Sequence, residues 1–147
     1  MPKPAPKLRE RIAIRELVRS HVGTKVTIEL YKPHRRSTGE FECPYRIRGL
    51  GRPKVGCAFG EDSIQALQLS FEAVRLELAP YAHGLEWFGA LGETGFPQFV
   101  PYSLGAAFTR RVNGIVEREV EREVHRLKAG GTRDRKRARR KRNEGSV

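Results

Sequence analysis

Hydrophobic and polar residues alternate with a period of two in the first third of the chain, a pattern typical of β-strands that bury one face. A polar segment that contains Gly23 separates two such runs, so residues 11–31 are predicted to form a β-hairpin. The alternating apolar positions of the two runs are Ile12, Ile14, Val26, Ile28 and Leu30. The first run also fits a helix, because Ile14, Leu17 and Val18 lie on one helical face, but the strand is the favoured alternative.

The clearest alternation in the chain follows a loop at residues 31–39. Its inward-facing positions are Phe41, Cys43, Tyr45 and Ile47. Pro44, on the other face, has no N–H group to donate to a neighbouring strand, so an edge strand or a bulge is predicted at this position. A fourth short strand follows the turn at residues 49–53, with the alternating positions Val55, Cys57 and Phe59.

Asp62 and Gln65 indicate the start of a helix, because an N-cap Asp followed three residues later by Gln forms a capping box. The helix is predicted over residues 62–79 and ends before Pro80. Its apolar residues form two adjacent stripes, so we expect burial on more than one side. The stripes consist of Ile64, Leu67, Phe71, Val74 and Leu78, and of Ala66, Leu69, Ala73 and Leu76.

Residues 81–102 are interpreted as an ordered loop over the core, with a short fifth strand near Trp87. A long helix is predicted over residues 103–129, with a weak point at Asn113 and Gly114. An apolar stripe runs along the otherwise charged second half of this helix, at Val116, Val120, Val124 and Leu127. Because surface ion pairs alone do not hold such a helix, the stripe must pack within the chain or between two copies. A homodimer through helix 103–129 is slightly favoured.

These elements predict an α+β fold in which a small, mainly antiparallel sheet of four to five strands packs on one helix, followed by a long C-terminal helix. The predicted organisation is a flexible N-terminal arm (1–10), an α+β domain (11–102), a C-terminal helix (103–130) and a disordered basic tail (131–147). The proline-rich arm lacks the apolar segment of a signal peptide, and no apolar run is long enough to cross a membrane. We therefore expect a cytoplasmic protein that has no membrane partner.

The net charge of +12 lies mainly at the two ends of the chain. Residues 131–147 contain eight basic and two acidic side chains, whereas residues 39–105 contain five basic and eight acidic ones. Such basic density is typical of an arm that contacts polyanions, so RNA or DNA contact through the tail is predicted. The predicted phosphate-binding residues of the tail are Arg133, Arg135, Lys136, Arg137, Arg139, Arg140, Lys141 and Arg142. The tail has too few apolar side chains to offset the entropy cost of ordering.

Two further groups of residues are compatible with nucleic-acid contact. The loop at residues 31–39 carries three basic candidates for phosphate binding, Lys32, Arg35 and Arg36, although a solvated loop is the favoured interpretation. The second group is a set of aromatic residues that resembles a stacking platform for bases, Trp87, Phe88, Phe96, Phe99 and Tyr102. Because no Lys or Arg lies between Arg75 and Arg110, core packing is favoured for these rings.

No pattern indicates an enzyme or a cofactor. The chain lacks a glycine-rich phosphate loop and a nucleophile elbow, and helix capping explains the spacing of Asp62 and Gln65. Cys43 and Cys57 do not form a C-x-x-C pair, so no metal site is predicted and both are expected to be inward-facing, reduced thiols. The leading hypothesis is a non-enzymatic binding protein whose cationic tail makes nonspecific contacts with nucleic-acid phosphates. The alternative is a protein-interaction or self-associating module with an incidental tail.

Four short segments between residues 43 and 97 carry a distinctive combination of motifs. They are Cys43-Pro44-Tyr45-Arg46-Ile47-Arg48-Gly49-Leu50, Gly60-Glu61-Asp62-Ser63-Ile64-Gln65-Ala66-Leu67, Trp87-Phe88-Gly89 and Gly95-Phe96-Pro97. The combination resembles a family of short bacterial proteins of unknown function with the patterns C-P-[FY]-x-I-x-G-L and G-x-D-[SA]-x-Q-A-L. The resemblance covers about residues 11–100 and implies a compact α+β domain without an assigned activity. Glu61 stands where the family usually has a hydrophobic residue.

Overall fold

The computed structural model describes residues 6–144, and it describes side chains through residue 130. The chain divides into two units, residues 1–99 and residues 100–147. The first unit has an α+β fold, in which an antiparallel sheet packs on a helix. The second unit contains a long helix.

The sheet of the first unit has seven strands in the part of the chain that the structure describes. They are β1 (Arg11–Arg19), β2 (Lys25–Tyr31), β3 (His34–Arg35), β4 (Phe41–Arg48), β5 (Lys54–Gly60), β6 (Leu85–Trp87) and β7 (Ala90–Leu91). β2 lies between β1 and β4, β4 also pairs with β3 and β5, and β1 continues the sheet to β6 and β7. The predicted α+β class and the hairpin at residues 11–31 are confirmed. The helical alternative for the first run is wrong, and β3 and β7, of two residues each, were not predicted.

Pro44 lies in an interior strand, so the prediction of an edge strand at this position is wrong. β4 pairs with β5 along its length, and Pro44 is opposite Cys57. On the other side of β4, the pairing with β2 ends at Tyr45, and the pairing with β3 begins at Glu42. Pro44 therefore falls in the gap between two partner strands, where a missing N–H group interrupts neither ladder.

One face of the sheet packs against α1 (Ser63–Leu78) and forms the core. The fully buried apolar side chains of this core are Leu17, Val26, Ile28, Ile47, Val74, Leu78 and Leu85. Gly60 allows α1 to approach β5, and Gly56 leaves room for the ring of Tyr45 on β4. A Cβ atom on Gly60 would lie 2.4 Å from the backbone nitrogen of Ala66, and one on Gly56 would lie 2.4 Å from the ring of Tyr45.

The start of α1 agrees with the predicted N-cap, with one change of partner. Asp62 Oδ1 accepts a hydrogen bond from the Gln65 backbone nitrogen at 2.8 Å. The Gln65 side chain accepts from the backbone nitrogen of Glu61, one residue before the cap. The expectation of burial on more than one side is wrong for Ile64, Leu69 and Leu76, which are exposed. The fully covered stripe of α1 contains Ala66, Ser70, Val74 and Leu78, and Leu67, Phe71 and Ala73 pack against the core while partly buried.

The second unit contains a short 3₁₀ helix (Tyr102–Leu104) and α2 (Ala106–Glu144). α2 shows no break at Asn113 and Gly114, and its backbone is helical beyond residue 130, the predicted end. Two ion pairs with i,i+3 spacing lie on its surface, Glu119–Arg122 and Glu123–Arg126. The predicted apolar stripe is exposed, at Val116, Val120, Val124 and Leu127. The order of residues 131–147 in the isolated chain stays a prediction.

Candidate functional site

A buried carboxylate organises the sheet face opposite α1, which we call the polar face. Glu29, in the middle of β2, has a side chain that is 1 % exposed. Its Oε1 accepts hydrogen bonds from Arg11 Nη1 at 2.9 Å and from Arg48 Nη2 at 3.1 Å. Its Oε2 accepts from Arg46 Nε at 2.6 Å and from the Tyr31 hydroxyl at 3.2 Å. Every acceptor of this carboxylate is therefore engaged with a neighbour held by the fold.

Strand register places the three arginines around Glu29. Arg46 is directly opposite Glu29 in the β2–β4 pair, and Arg48, two residues further along β4, projects from the same face. Arg11 belongs to β1, where the register shifts between Arg11 and Ala13. Without this shift, alternation would put Arg11 on the core face with Ala13, so the irregularity is what directs its guanidinium towards Glu29.

The arginine cluster, Arg11, Arg46 and Arg48 around Glu29, keeps a net positive charge. The hydrogen bond from Arg46 is the main cause that lowers the pKa of Glu29 to about 2, and burial opposes this shift. Glu29 is thus an anion that neutralises one of three cations. The side chains of Arg11 and Arg48 remain 52 % and 47 % exposed, so their outer N–H groups can bind a solvent-borne anion.

A groove of about 770 Å³ lies on the same face. Three segments line it: the N-terminal residues before β1, the β3 strand with its turn, and the polar sides of β4 and β5. The lining residues are Pro6, Lys7, Arg9, His34, Arg35, Arg36, Ser37, Glu42, Val55, Gly56, Cys57 and Phe59. With four basic side chains and one acidic side chain, the groove has a positive electrostatic potential.

The basic residues of the groove differ in how they are paired. Arg36 contacts Glu40 at 2.7 Å and Glu42 at 3.4 Å, and its guanidinium lies 5.2 Å from the ring centre of Phe59. Arg35 donates only to the carbonyl of Gly39 at 3.0 Å. Lys7, Arg9 and Arg35 form no ion pair with the described residues. The groove therefore holds three cations whose charge no described carboxylate neutralises.

His34 adds an unsatisfied polar atom to the groove. Its Nδ1 is shielded from solvent and has no hydrogen-bond partner among the residues that the structure describes. His34 lies opposite Glu42 in the β3–β4 pair, which holds the imidazole at the wall of the groove. A buried polar atom without a partner is costly, but solvent does not reach this Nδ1, so a ligand in the groove would contact the exposed part of the imidazole ring.

The sequence-predicted basic loop is only partly brought together. Arg35 and Arg36 line the groove, whereas Lys32 pairs with Glu10 at 3.1 Å outside its lining. The predicted tail residues, Arg133 to Arg142, lie outside the described side chains. Sequence reasoning did not single out Glu29, Arg11 or the arginines of β4. The available signal was the alternation itself, because Glu29, Arg46 and Arg48 occupy the polar positions of strands whose alternate positions are apolar.

The two cysteines lie on opposite faces of the sheet, so the expectation that both face inward is wrong for Cys57. Cys43 is fully buried on the core face, where its Sγ lies 3.4 Å from Ser70 Oγ, and burial raises the pKa of this thiol. Cys57, opposite Pro44, is half-buried in the groove wall. Successive side chains of a strand point to opposite faces of the sheet. Because Cys57 lies opposite Pro44, the neighbour of Cys43, the two thiols are on different faces. The described residues contain no group of three His, Cys, Asp or Glu side chains suited to a metal ion.

The aromatic residues of 81–102 divide into packed and exposed rings. Trp87 and Phe96 pack against the core, and the guanidinium of Arg15 lies 4.4 Å and 4.6 Å from their ring centres. Phe88 and Tyr102 are exposed, at 91 % and 74 %. Core packing is therefore confirmed for Trp87 and Phe96 but wrong for the two exposed rings. In the turn after β6, Phe88 has a φ of 49°, a left-handed backbone conformation that is uncommon for residues other than glycine.

The family model of a domain of unknown function, DUF6968, matches residues 13–98. The chain belongs to this family. The DUF6968 match covers β1 from Ala13 onward, β2 to β7 and α1, and hence Glu29, Arg46, Arg48 and the β3–β5 part of the groove, whereas Arg11 precedes it. No curated protein and no solved structure matches the chain. None of the helices in the described part of the chain is long and apolar enough to cross a membrane.

Proposed function

We propose that this chain is a non-enzymatic, cytoplasmic bacterial protein that binds nucleic acid through phosphate contacts. The contacts are made by the basic segment 131–147 and by the polar face of the DUF6968 domain. Sequence preference is slight, because contacts to phosphates position a protein without specifying bases.

The arrangement around Glu29 is the observation that carries this proposal. A buried carboxylate fixes Arg11, Arg46 and Arg48 through hydrogen bonds of 2.6–3.1 Å while two of the guanidinium groups remain half exposed. Arginine groups held in advance lose less conformational entropy on meeting a phosphate than mobile side chains do. The face also adjoins a groove with three unneutralised cations, so its charge exceeds what internal pairing requires.

A salt titration tests the proposal directly. The full chain is titrated with a fluorescently labelled 20-base-pair DNA duplex at several salt concentrations, alongside a chain that lacks residues 131–147 and an Arg11→Gln/Arg48→Gln variant. If the tail neutralises six to eight phosphates, the slope of log K against log salt is about −5 to −7 for the full chain. Both altered chains are expected to have shallower slopes. A slope near zero, or unchanged binding by both altered chains, contradicts the proposal.

A protein-interaction module is the second candidate function, and the exposed stripe of α2 favours it. Val116, Val120, Val124 and Leu127 are 40–60 % exposed in the single chain. The ion pairs beside them contribute only about 0.2–0.5 kcal/mol each, which does not stabilise a helix of this length by itself. A second copy of α2 would cover the stripe and form a homodimer.

Light scattering at tens of micromolar protein tests self-association, because it measures the mass of the particle in solution. A self-associating chain has twice the monomer mass, and the double variant Val120→Asp/Val124→Asp converts it into a monomer or an unfolded chain. The exposed and charged pair Glu119→Gln/Arg122→Gln, on the same helix, is the control and should keep the dimer. A monomeric wild-type chain contradicts self-association.

A further inference from the structure

We propose that the groove lined by Lys7, Arg9, His34 and Arg35 binds a single strand of nucleic acid. This inference rests on the proposed function and deepens it, because it assigns a defined site and a preferred form of nucleic acid to a protein whose tail contacts are nonspecific. The phosphates contact Lys7, Arg9 and Arg35, and one nucleotide lies against the wall formed by His34 and Phe59.

The charges of the groove favour a ligand with several phosphates. Lys7, Arg9 and Arg35 come from two separate segments of the chain, and none forms an ion pair with the described residues. A single phosphate monoester would neutralise at most two of these charges, whereas successive phosphates of a strand neutralise all three. Grooves that bind single strands combine such cations along the backbone path with aromatic residues for the bases.

The size and walls of the groove favour a strand over a duplex. Its volume of about 770 Å³ lies in the range of roughly 300–1,000 Å³ that is typical of sites for small molecules. A few nucleotides fit such a volume, whereas a duplex exceeds it and meets only the rim. Within the groove, the apolar side chains of Val55 and Phe59 offer a surface to a base that a duplex keeps stacked inside.

The ring of His34 forms part of the groove wall. Its Nδ1 is withdrawn from water and unpaired among the described residues, although it belongs to the wall of a polar groove. Arg36 has a different role. It is already paired with Glu40 and Glu42, so it holds the turn after β3 in place rather than awaiting a phosphate.

The test uses the full chain and a fluorescein-labelled U₁₂ RNA, with a 12-base-pair RNA duplex and UMP as parallel probes. In the Lys7→Gln/Arg9→Gln variant, affinity for U₁₂ should fall by roughly 10- to 30-fold at 100 mM salt, and the salt slope should become shallower by about 1.4. The control variant Arg19→Gln/Arg52→Gln removes the same charge from exposed residues outside the groove, and it should change the affinity less than threefold. The two variants should change the affinity for the RNA duplex to the same extent.

Chemical shifts locate the contact without relying on a substitution. In ¹H–¹⁵N spectra of the wild-type chain, U₁₂ should shift the resonances of His34 and of Arg35 at concentrations that saturate anisotropy. If the two variants lost equal affinity for U₁₂, or if U₁₂ bound without shifting these resonances, the groove would not be the binding site. The proposed function would still stand. Equal affinity for UMP and U₁₂ would contradict the proposal that the groove binds a strand of several nucleotides. No binding of any nucleic acid by the wild-type chain would overturn both proposals.

Discussion

On the sheet face that packs against α1, the fully buried side chains are apolar, whereas on the polar face a carboxylate, Glu29, is 1 % exposed. The two faces therefore achieve burial by different means. Apolar burial lowers the free energy of the fold in proportion to the area withdrawn from water. A buried ion cluster gains little net stability, because desolvation of the charges opposes their attraction. The core face therefore stabilises the domain, whereas the polar face positions cations.

Removal of the negative charge of Glu29 is expected to reduce the stability of the folded chain more than any other change considered. Glu29→Gln leaves Arg11, Arg46 and Arg48 without a counter-charge, and we expect a loss of about 3–5 kcal/mol in the free energy of unfolding. Urea denaturation measures this loss. Glu16→Gln, which removes an exposed partner of Lys25 from a 2.9 Å ion pair in the same hairpin, is the control and should cost no more than about 1 kcal/mol. If both variants lost the same free energy of unfolding, burial of Glu29 would make no difference to its contribution to stability.

At low pH, the contribution of Glu29 to the stability of the folded chain should be lost over a defined pH range. The pKa of Glu29 is lowered from 4.5 to about 2 in the folded chain. A carboxyl group with a depressed folded-state pKa contributes stability above its unfolded pKa and loses that contribution as the pH falls towards the folded value. The free energy of unfolding should therefore decrease between about pH 4.5 and pH 2. Urea titrations of wild type and Glu29→Gln at pH 6, 4, 3 and 2 should show a smaller decrease in the variant.

The close approach of β5 and α1 gives a test of the core face. Gly60→Ala places a Cβ atom 2.4 Å from the backbone nitrogen of Ala66, where backbone has to move. We expect a loss of about 1–3 kcal/mol, as is usual for overpacking. Gly130→Ala, in α2, meets no atom within 4 Å and should be neutral or slightly stabilising. If Gly60→Ala were equally harmless in thermal denaturation, the helix would not be closely packed on β5.

The smallest expected effect concerns the start of the helix that covers the core face. Asp62→Ala removes the acceptor for the Gln65 backbone nitrogen, and the expected loss is about 1 kcal/mol. Asp62→Asn keeps an acceptor at this position and should retain most of the stability. Because Asp62 lies outside the groove lining, binding of U₁₂ by the folded Asp62→Ala chain should equal that of wild type. A folded variant that no longer binds would make Asp62 a binding residue rather than a cap.

Several elements of the fold were predictable because their signals are local. Alternation at Val26, Ile28 and Leu30 predicted β2, and the spacing of Asp62 and Gln65 predicted the start of α1 within a residue. The interior position of β4 was not predictable. Pro44 is unfavourable in a continuous ladder, and only the tertiary arrangement shows that two different strands, β2 and β3, pair on either side of it.

The candidate site depended still more on tertiary structure. Arg35 and Arg36 were recognisable from the basic composition of their loop, but Lys7 and Arg9 join them in the groove only because the N-terminal segment lies beside β5 residues such as Phe59. In the same way, the absence of basic residues between Arg75 and Arg110 argued against any cation near Trp87. Arg15 reaches that ring from β1, which is distant in sequence and adjacent in the sheet.

Most helices and strands of this protein follow from local sequence, since they depend on the periodicity and capping of neighbouring residues. The amino-acid sequence also determined the excess of positive charge and its concentration at the ends of the chain. Which charges lie close together depends instead on the folded arrangement of the strands. Strand register and one register shift bring Arg11, Arg46 and Arg48 to a single carboxylate, and register is set by pairing between segments far apart along the chain. Electrostatic energy depends on distances in space, so the chemistry of the polar face became visible only in the folded chain.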